Sequence, residues 1–161
     1  MKHDAPAEAI KNVSPEWRVG IVAATFYKEE IMPMVESAKK TLLDAGIDPQ
    51  NISFHPVPGS FEIPLIGSAL VHAKKVDALI GLGIIVQGET KHADLLAQEV
   101  ARGMMDIQVR ERIPFAFEVL WVSDLALARA RINKGEEAAR SVLISLADLA
   151  RLHSLIIEQA K

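Results

Sequence analysis

The run "VDALIGLGIIV", residues 76–86, constrains this chain more than any other stretch: after its aspartate come nine residues without a polar side chain. A half-buried strand would alternate apolar with polar, and an amphipathic helix would keep a polar face. Ile80, Ile84, Ile85 and Val86 favour a strand, and a strand apolar on both faces belongs in a parallel sheet covered by helices above and below.

The flanking segments fit that sheet. "RVGIVAATF" (18–26), "NISFHPVP" (51–58) and "PFAFEVLWV" (114–122) predict three more strands. Between them, "YKEEIMPMVESAKKTLLDAG" (27–46) shows helical spacing and stops at Gly46, with Pro33 expected to kink or delay it. "SFEIPLIGSALVHAKK" (60–75) and "KHADLLAQEVARGMMDIQVRER" (91–112) predict two further helices, and the chain from Ser123 onward is helical with a break near "INKG". Four β-α units in this order predict an α/β fold, a flavodoxin-like three-layer αβα sandwich on a four-stranded parallel sheet with right-handed crossovers. The polar residues 1–16 predict an N-terminal arm, and residues 17–161 the α/β domain.

Composition narrows the function. The 161 residues, half of them apolar, suit one buried core. The net charge of -3, from 18 basic and 21 acidic residues spread along the chain, gives no basic stripe, so no nucleic-acid partner is expected. The absence of cysteine excludes disulfides, thiolate metal sites, iron–sulfur ligation and a cysteine nucleophile. The opening residues lack the apolar run of a signal peptide and no later run reaches membrane-spanning length, so a cytoplasmic protein with no membrane partner is expected.

In open α/β sheets ligands sit outside the carboxyl ends of the strands. That directs attention to Phe26 and Tyr27, to residues 58–62, to 87–92 and to 117–121. In "GETKH", Gly88 allows a sharp turn, and the amides of Glu89, Thr90 and Lys91 fall at a helix start, where unpaired N–H groups and the dipole favour phosphate or carboxylate. An ordinary turn capped by Thr90 fits the same residues. His92, in the first helical turn beside that seam, is a candidate general base. In "VPGSFEIP" two prolines frame Gly59, Ser60, Phe61 and Glu62, a rigid turn whose carboxylate either meets ligand hydroxyls or stabilises the first turn of a helix. Phe26 and Phe117 could stack on a flat ring or simply pack in the core. "GLGIIVQG" has Val86 where a dinucleotide fingerprint needs its third glycine, no Walker lysine follows a glycine-rich loop, and there is no G-x-S-x-G elbow. The five histidines lack ligand spacing, so neither metal nor cofactor is expected. Acid–base chemistry on a bound anion remains.

Taken in order, "ATF", "VPGSFEIP", "GIIVQGETKHAD", "PFAFEVL" and "NKGEEAA" resemble the lumazine synthase family, from about Arg18 to about Leu152. The resemblance implies condensation of 5-amino-6-(D-ribitylamino)uracil with 3,4-dihydroxy-2-butanone 4-phosphate to 6,7-dimethyl-8-ribityllumazine, phosphate and water, without metal or cofactor. It implies that His92 shuttles protons, and that Gly88, Glu89 and Thr90 hold the substrate phosphate with Arg131 as countercharge. It implies further that Phe26 stacks on the pyrimidine, that Ser60, Phe61 and Glu62 line the ribityl side, and that backbone groups of Ile84, Ile85 and Val86 read the ring edges. Phe117 and Lys134 would arrive from a neighbouring subunit of a homopentamer, and twelve pentamers can close into a 60-subunit shell in this family. Two departures stand out. "ARINKGEEAA" is about four residues shorter than the family loop, which makes Arg129 a rival to Arg131, and the Ala-x-x-Arg spacing from Ala128 favours Arg131. Tyr27 stands where a small amide is common. A flavin- or lumazine-binding module without turnover, or a shell-forming protein, would share the scaffold, but a pure binder has no need of the phosphate seam.

Overall fold

The computed structural model describes residues 9–160. Its strands are β1 (Val19–Ala24), β2 (Ile52–Val57), β3 (Ala78–Val86) and β4 (Phe115–Val122), all parallel and ordered β2-β1-β3-β4. Helices α1 (Lys28–Asp44), α2 (Ile63–His72) and α3 (His92–Glu111) connect them, and α4 (Leu125–Arg129) and α5 (Lys134–Gln159) follow β4. The predicted flavodoxin-like sandwich is the observed fold.

Alternating strand residues feed two cores, which is why the central strands carry no polar side chains. Ile21, Ile80 and Leu82 pack with Ile31, Met34 and Leu42 of α1 and Leu143 of α5. On the other face Val22, Leu79 and Phe115 pack with Ile63 of α2 and with Val100 and Met104 of α3. Gly135 lets the start of α5 abut α1: a β-carbon there would overlap the Met34 carbonyl. The glycine of "NKG" is therefore required by a close helix approach.

Three local expectations change. β1 stops at Ala24 because the Thr25 and Phe26 amides turn to donate to the Val57 and Pro58 carbonyls, at 2.7 and 3.1 Å. Pro33 does not delay α1, which begins at Lys28 and contains it, at the cost of only the bond its missing N–H would give the Glu29 carbonyl. "SFE" is a 3-10 turn, and α2 begins after it. Of the predicted arm, residues 1–8 lie outside the described residues. Ile10 and Val13 pack on the core, and the Pro15 carbonyl accepts from the Asp48 amide and the Asn51 side chain.

Candidate active site

The strand order reverses between β1 and β3, and such a switch point opens a crevice at the carboxyl ends. Here it is deepened by unequal strand lengths. The β1–β3 ladder ends at Ala23 opposite Leu82, whereas β3 continues to Val86 paired only with β4, where Val86 faces Val122. Gly83, Ile84, Ile85 and Val86 therefore present a backbone edge with no strand on the β1 side. The Gln87 amide returns to the Val122 carbonyl at 2.8 Å, which aims the "GETKH" segment over the ends of β3 and β4.

The rim is assembled from the other strand ends. Phe26, two-thirds exposed, stands after β1, tied to the β2 end through the Pro58 carbonyl, and its ring meets Tyr27 edge-on at 4.7 Å. Tyr27 has φ 63°, the left-handed region, uncommon for a bulky side chain and tolerated best by Gly, Asn and Asp. That is the physical reason for a small amide at this position, and Tyr27 offsets the strain by packing its ring against the core.

The turn after β2 is set by its own groups. Glu62 Oε2 accepts from the Gly59 amide at 2.9 Å, so this carboxylate shapes the turn and has its second oxygen left for other partners. Ser60 is buried against β3, its Oγ without a hydrogen-bond partner, and a β-carbon on Gly83 would overlap that oxygen. Phe61 points outward and, with His92, Leu95, Leu96 and Glu99, lines an apolar hollow of about 360 Å³. A larger hollow of about 450 Å³, between residues 9 and 10, α1 and α5, contains none of the candidates.

The seam is open. Residues 87–92 are exposed, α3 begins at His92, and Thr90 Oγ1 accepts from the His92 amide at 3.4 Å, a long contact that caps the helix only loosely. The first-turn amides of α3 thus face the seam with the hydroxyl of Thr90 beside them.

The two arginines have different surroundings. Arg129 donates through Nε and Nη2 to Glu30 Oε1, at 3.2 and 2.7 Å, and Glu30 is a buried carboxylate on α1. Arg131, two residues on, donates to the Leu127 carbonyl at 2.6 Å and has no carboxylate partner among the described residues. It lies in one charge cluster with Lys134, Glu118 and Glu137. Lys134 is ion-paired with Glu137, which holds its ammonium above the usual range against the effect of burial, with Glu118 also raising it and Arg131 lowering it. Burial pushes the Glu118 carboxyl up to about 7; Lys134 opposes that rise and Glu137 adds to it.

Phe117 lies within the fourth strand, as its segment predicts, and not among the strand-end residues with which the sequence groups it: it is the third residue of β4, opposite Gly81, five residues before the Val86–Val122 pair. That is about 16 Å of strand from the crevice of its own chain, yet its ring is 44% exposed on the outer edge of the sheet, as is Trp121 nearby. Glu30, Gly83 and Glu118 escaped the sequence reading. The first two act through partners 99 and 23 positions away, and Glu118 looks from sequence like any outward strand residue. Among the described residues no group of three His, Cys, Asp or Glu side chains could hold a metal ion, and no helix is long and apolar enough to cross a membrane.

Residues 16–151 match the family described as 6,7-dimethyl-8-ribityllumazine synthase. The chain belongs to that family. Relatives bearing this name include one from Limosilactobacillus reuteri, 36% identical over 75% of this chain and 80% of that protein. One from Polaromonas sp. is 36% identical over 83% and 87%, and one from Neisseria meningitidis is 35% identical over 84% and 85%. The lumazine synthase match takes in every strand, the whole crevice, and α5 as far as residue 151.

Proposed function

We propose that this chain condenses 5-amino-6-(D-ribitylamino)uracil with 3,4-dihydroxy-2-butanone 4-phosphate to give 6,7-dimethyl-8-ribityllumazine, phosphate and water. The observation that carries the reading is the crevice in which β3 outruns β1, since it offers a planar heterocycle an unpaired backbone edge at Ile84, Ile85 and Val86 beside the exposed ring of Phe26. The second oxygen of Glu62 is the group available to ribityl hydroxyls, with Ser60 beneath that turn and Phe61 at the margin. Gly88, Glu89 and Thr90 receive the phosphate. Arg131 is the countercharge, because Arg129 already neutralises a buried carboxylate.

The uracil amine attacks the ketone carbonyl, the adduct loses water to an imine, and loss of a carbon-bound proton expels phosphate to leave an enol. The ribitylamino nitrogen then attacks the keto form of that enol, and loss of a second water closes the ring. His92 carries those protons. Its first-turn position next to the seam holds the imidazole near both the reacting carbon and the departing phosphate. The remaining groups, Phe117 and Lys134, come from the adjoining subunit of a homopentamer in the cytoplasm, and sixty-subunit closure is its larger form. Support for the sharing is the depth of Phe117 in β4, too far from its own crevice, and the uncovered apolar hollow beside His92. Lys134 shares a charge cluster with Arg131 of its own chain, so the neighbour's Lys134 arrives together with that neighbour's charged turn.

The test is single-turnover formation of the fluorescent lumazine from both substrates. His92→Ala is expected to slow it by about two to four powers of ten without altering particle mass. Ligand binding with no product from the unaltered chain would instead identify a silent binding module.

A further inference from the structure

Helix α5 outruns the fold that it completes. Its buried residues, Gly135, Ala138, Ala139, Val142, Leu143 and Leu146, all lie in its first half, and every described residue from Asp148 onward is exposed. The family match ends at residue 151, while the helix continues to Gln159. The protruding part is nevertheless not polar. Leu149, Leu152 and Ile156, at spacings of three and four, form a stripe with Leu155 beside it, and these side chains are between 40% and 65% exposed. A solvated helix end has no use for such a stripe.

We infer that this tail pairs with the same tail of a second copy, the two helices antiparallel about a two-fold axis between Ser154 and Leu155. The charges select that arrangement. Arg151 and Glu158 are two turns apart on one flank of the stripe, and in an antiparallel pair about this axis each Arg151 is level with Glu158 of the second copy. Within its own helix Arg151 reaches only Asp148, at 3.6 Å. The same register sets Leu155 against Leu155 at the centre and Leu152 against Ile156 of the second copy on either side, each pair out of level by a single helical rise of about 1.5 Å. A parallel pair would place these flanks on opposite sides of the interface, so neither Arg151 nor Glu158 would meet the other on the second copy. The tail is thus self-complementary under a two-fold, as an isologous contact must be. Three apolar layers are short for a free-standing dimer, so the contact gains its strength by repetition among copies already joined, which rests on the pentamer proposed above.

The absence of cysteine makes the register directly readable. Leu155→Cys should cross-link into covalent dimers on mild oxidation, whereas Leu149→Cys, about 16 Å from its mate in this register, should not. Equal cross-linking at both positions, or none at Leu155→Cys, overturns the arrangement. The Leu155→Asp/Ile156→Asp double variant should reduce the particle from a multiple of pentamers to the pentamer with lumazine formation retained. A particle whose mass does not fall refutes the pairing. If both proteins run smaller than a pentamer, the pentamer reading fails, and the cross-linking pattern alone decides on the tail.

Discussion

At the scale of single residues, the two arginines that sequence separated by spacing alone differ in what depends on them. Arg129→Ala leaves the Glu30 carboxylate buried without its partner, so it should lower folding stability by about 2 kcal/mol and change the Michaelis constants little. Arg131→Ala touches no buried acid and should leave stability intact, while raising KM for the phosphorylated substrate about tenfold or more, the worth of one charge-assisted hydrogen bond. Urea unfolding paired with steady-state kinetics distinguishes them, and a KM effect confined to Arg129→Ala would move the phosphate contact two positions. Glu118 makes a separate prediction about pH. Its carboxyl is raised from 4.5 to about 7 in the folded chain, so the native state binds the proton more tightly than the unfolded one. No penalty exists below about pH 4.5; it grows as pH rises and is complete above about 7, with an upper bound on the order of 3 kcal/mol. Glu118→Gln should therefore be more stable than the parent at pH 8 and close to it at pH 4.5 in thermal melts. Identical pH dependence in the two proteins would show that Glu118 does not titrate in this way.

At the scale of elements, close approaches at glycine fix where charged turns stand. Gly135→Ala forces α5 away from the Met34 carbonyl and should cost about 1–3 kcal/mol, with an added loss of turnover because Lys134 and Arg131 move with the end of that helix. Melting temperature and initial rate report the two effects, and a stable but slow variant would mean that α5 shifts as a rigid body. These contacts also mark the boundary of what the sequence could reveal. The both-faced apolar run at residues 76–86 was enough to imply a covered parallel sheet, and that sheet ordered the strand ends on which Phe26, Glu62 and His92 stand. Periodicity reports which way a side chain faces and says nothing of what it meets. Hence Ser60 against Gly83 and Glu30 against Arg129 were invisible, and although Phe117 falls in the strand its segment predicts, its depth there, far from the carboxyl end, was not foreseen. Propensity likewise missed the early end of β1, which is decided by carbonyls on the neighbouring β2 segment.

At the scale of the whole molecule, the proposed sharing of Phe117 between subunits makes assembly a condition for activity, and that is open to test. His92→Ala and Phe117→Ala chains, each inactive alone, should recover part of the activity when unfolded together and reassembled, because some shared crevices then receive one intact group from each partner. No recovery in mixed particles of normal mass would remove Phe117 from the neighbour's site. The sheet itself holds one further consequence. Where β3 runs on past β1, the middle of the structure contains a short stretch of ladder built from one side only. If the proposed reading holds, a flat guest with donors and acceptors along its rim completes that ladder in place of a missing strand and serves as a structural stave as well as a reactant. The amides of residues 83–86 that point toward β1 should then exchange with solvent quickly in the empty protein and slowly in the filled one, and the sheet should melt later with its occupant than without it.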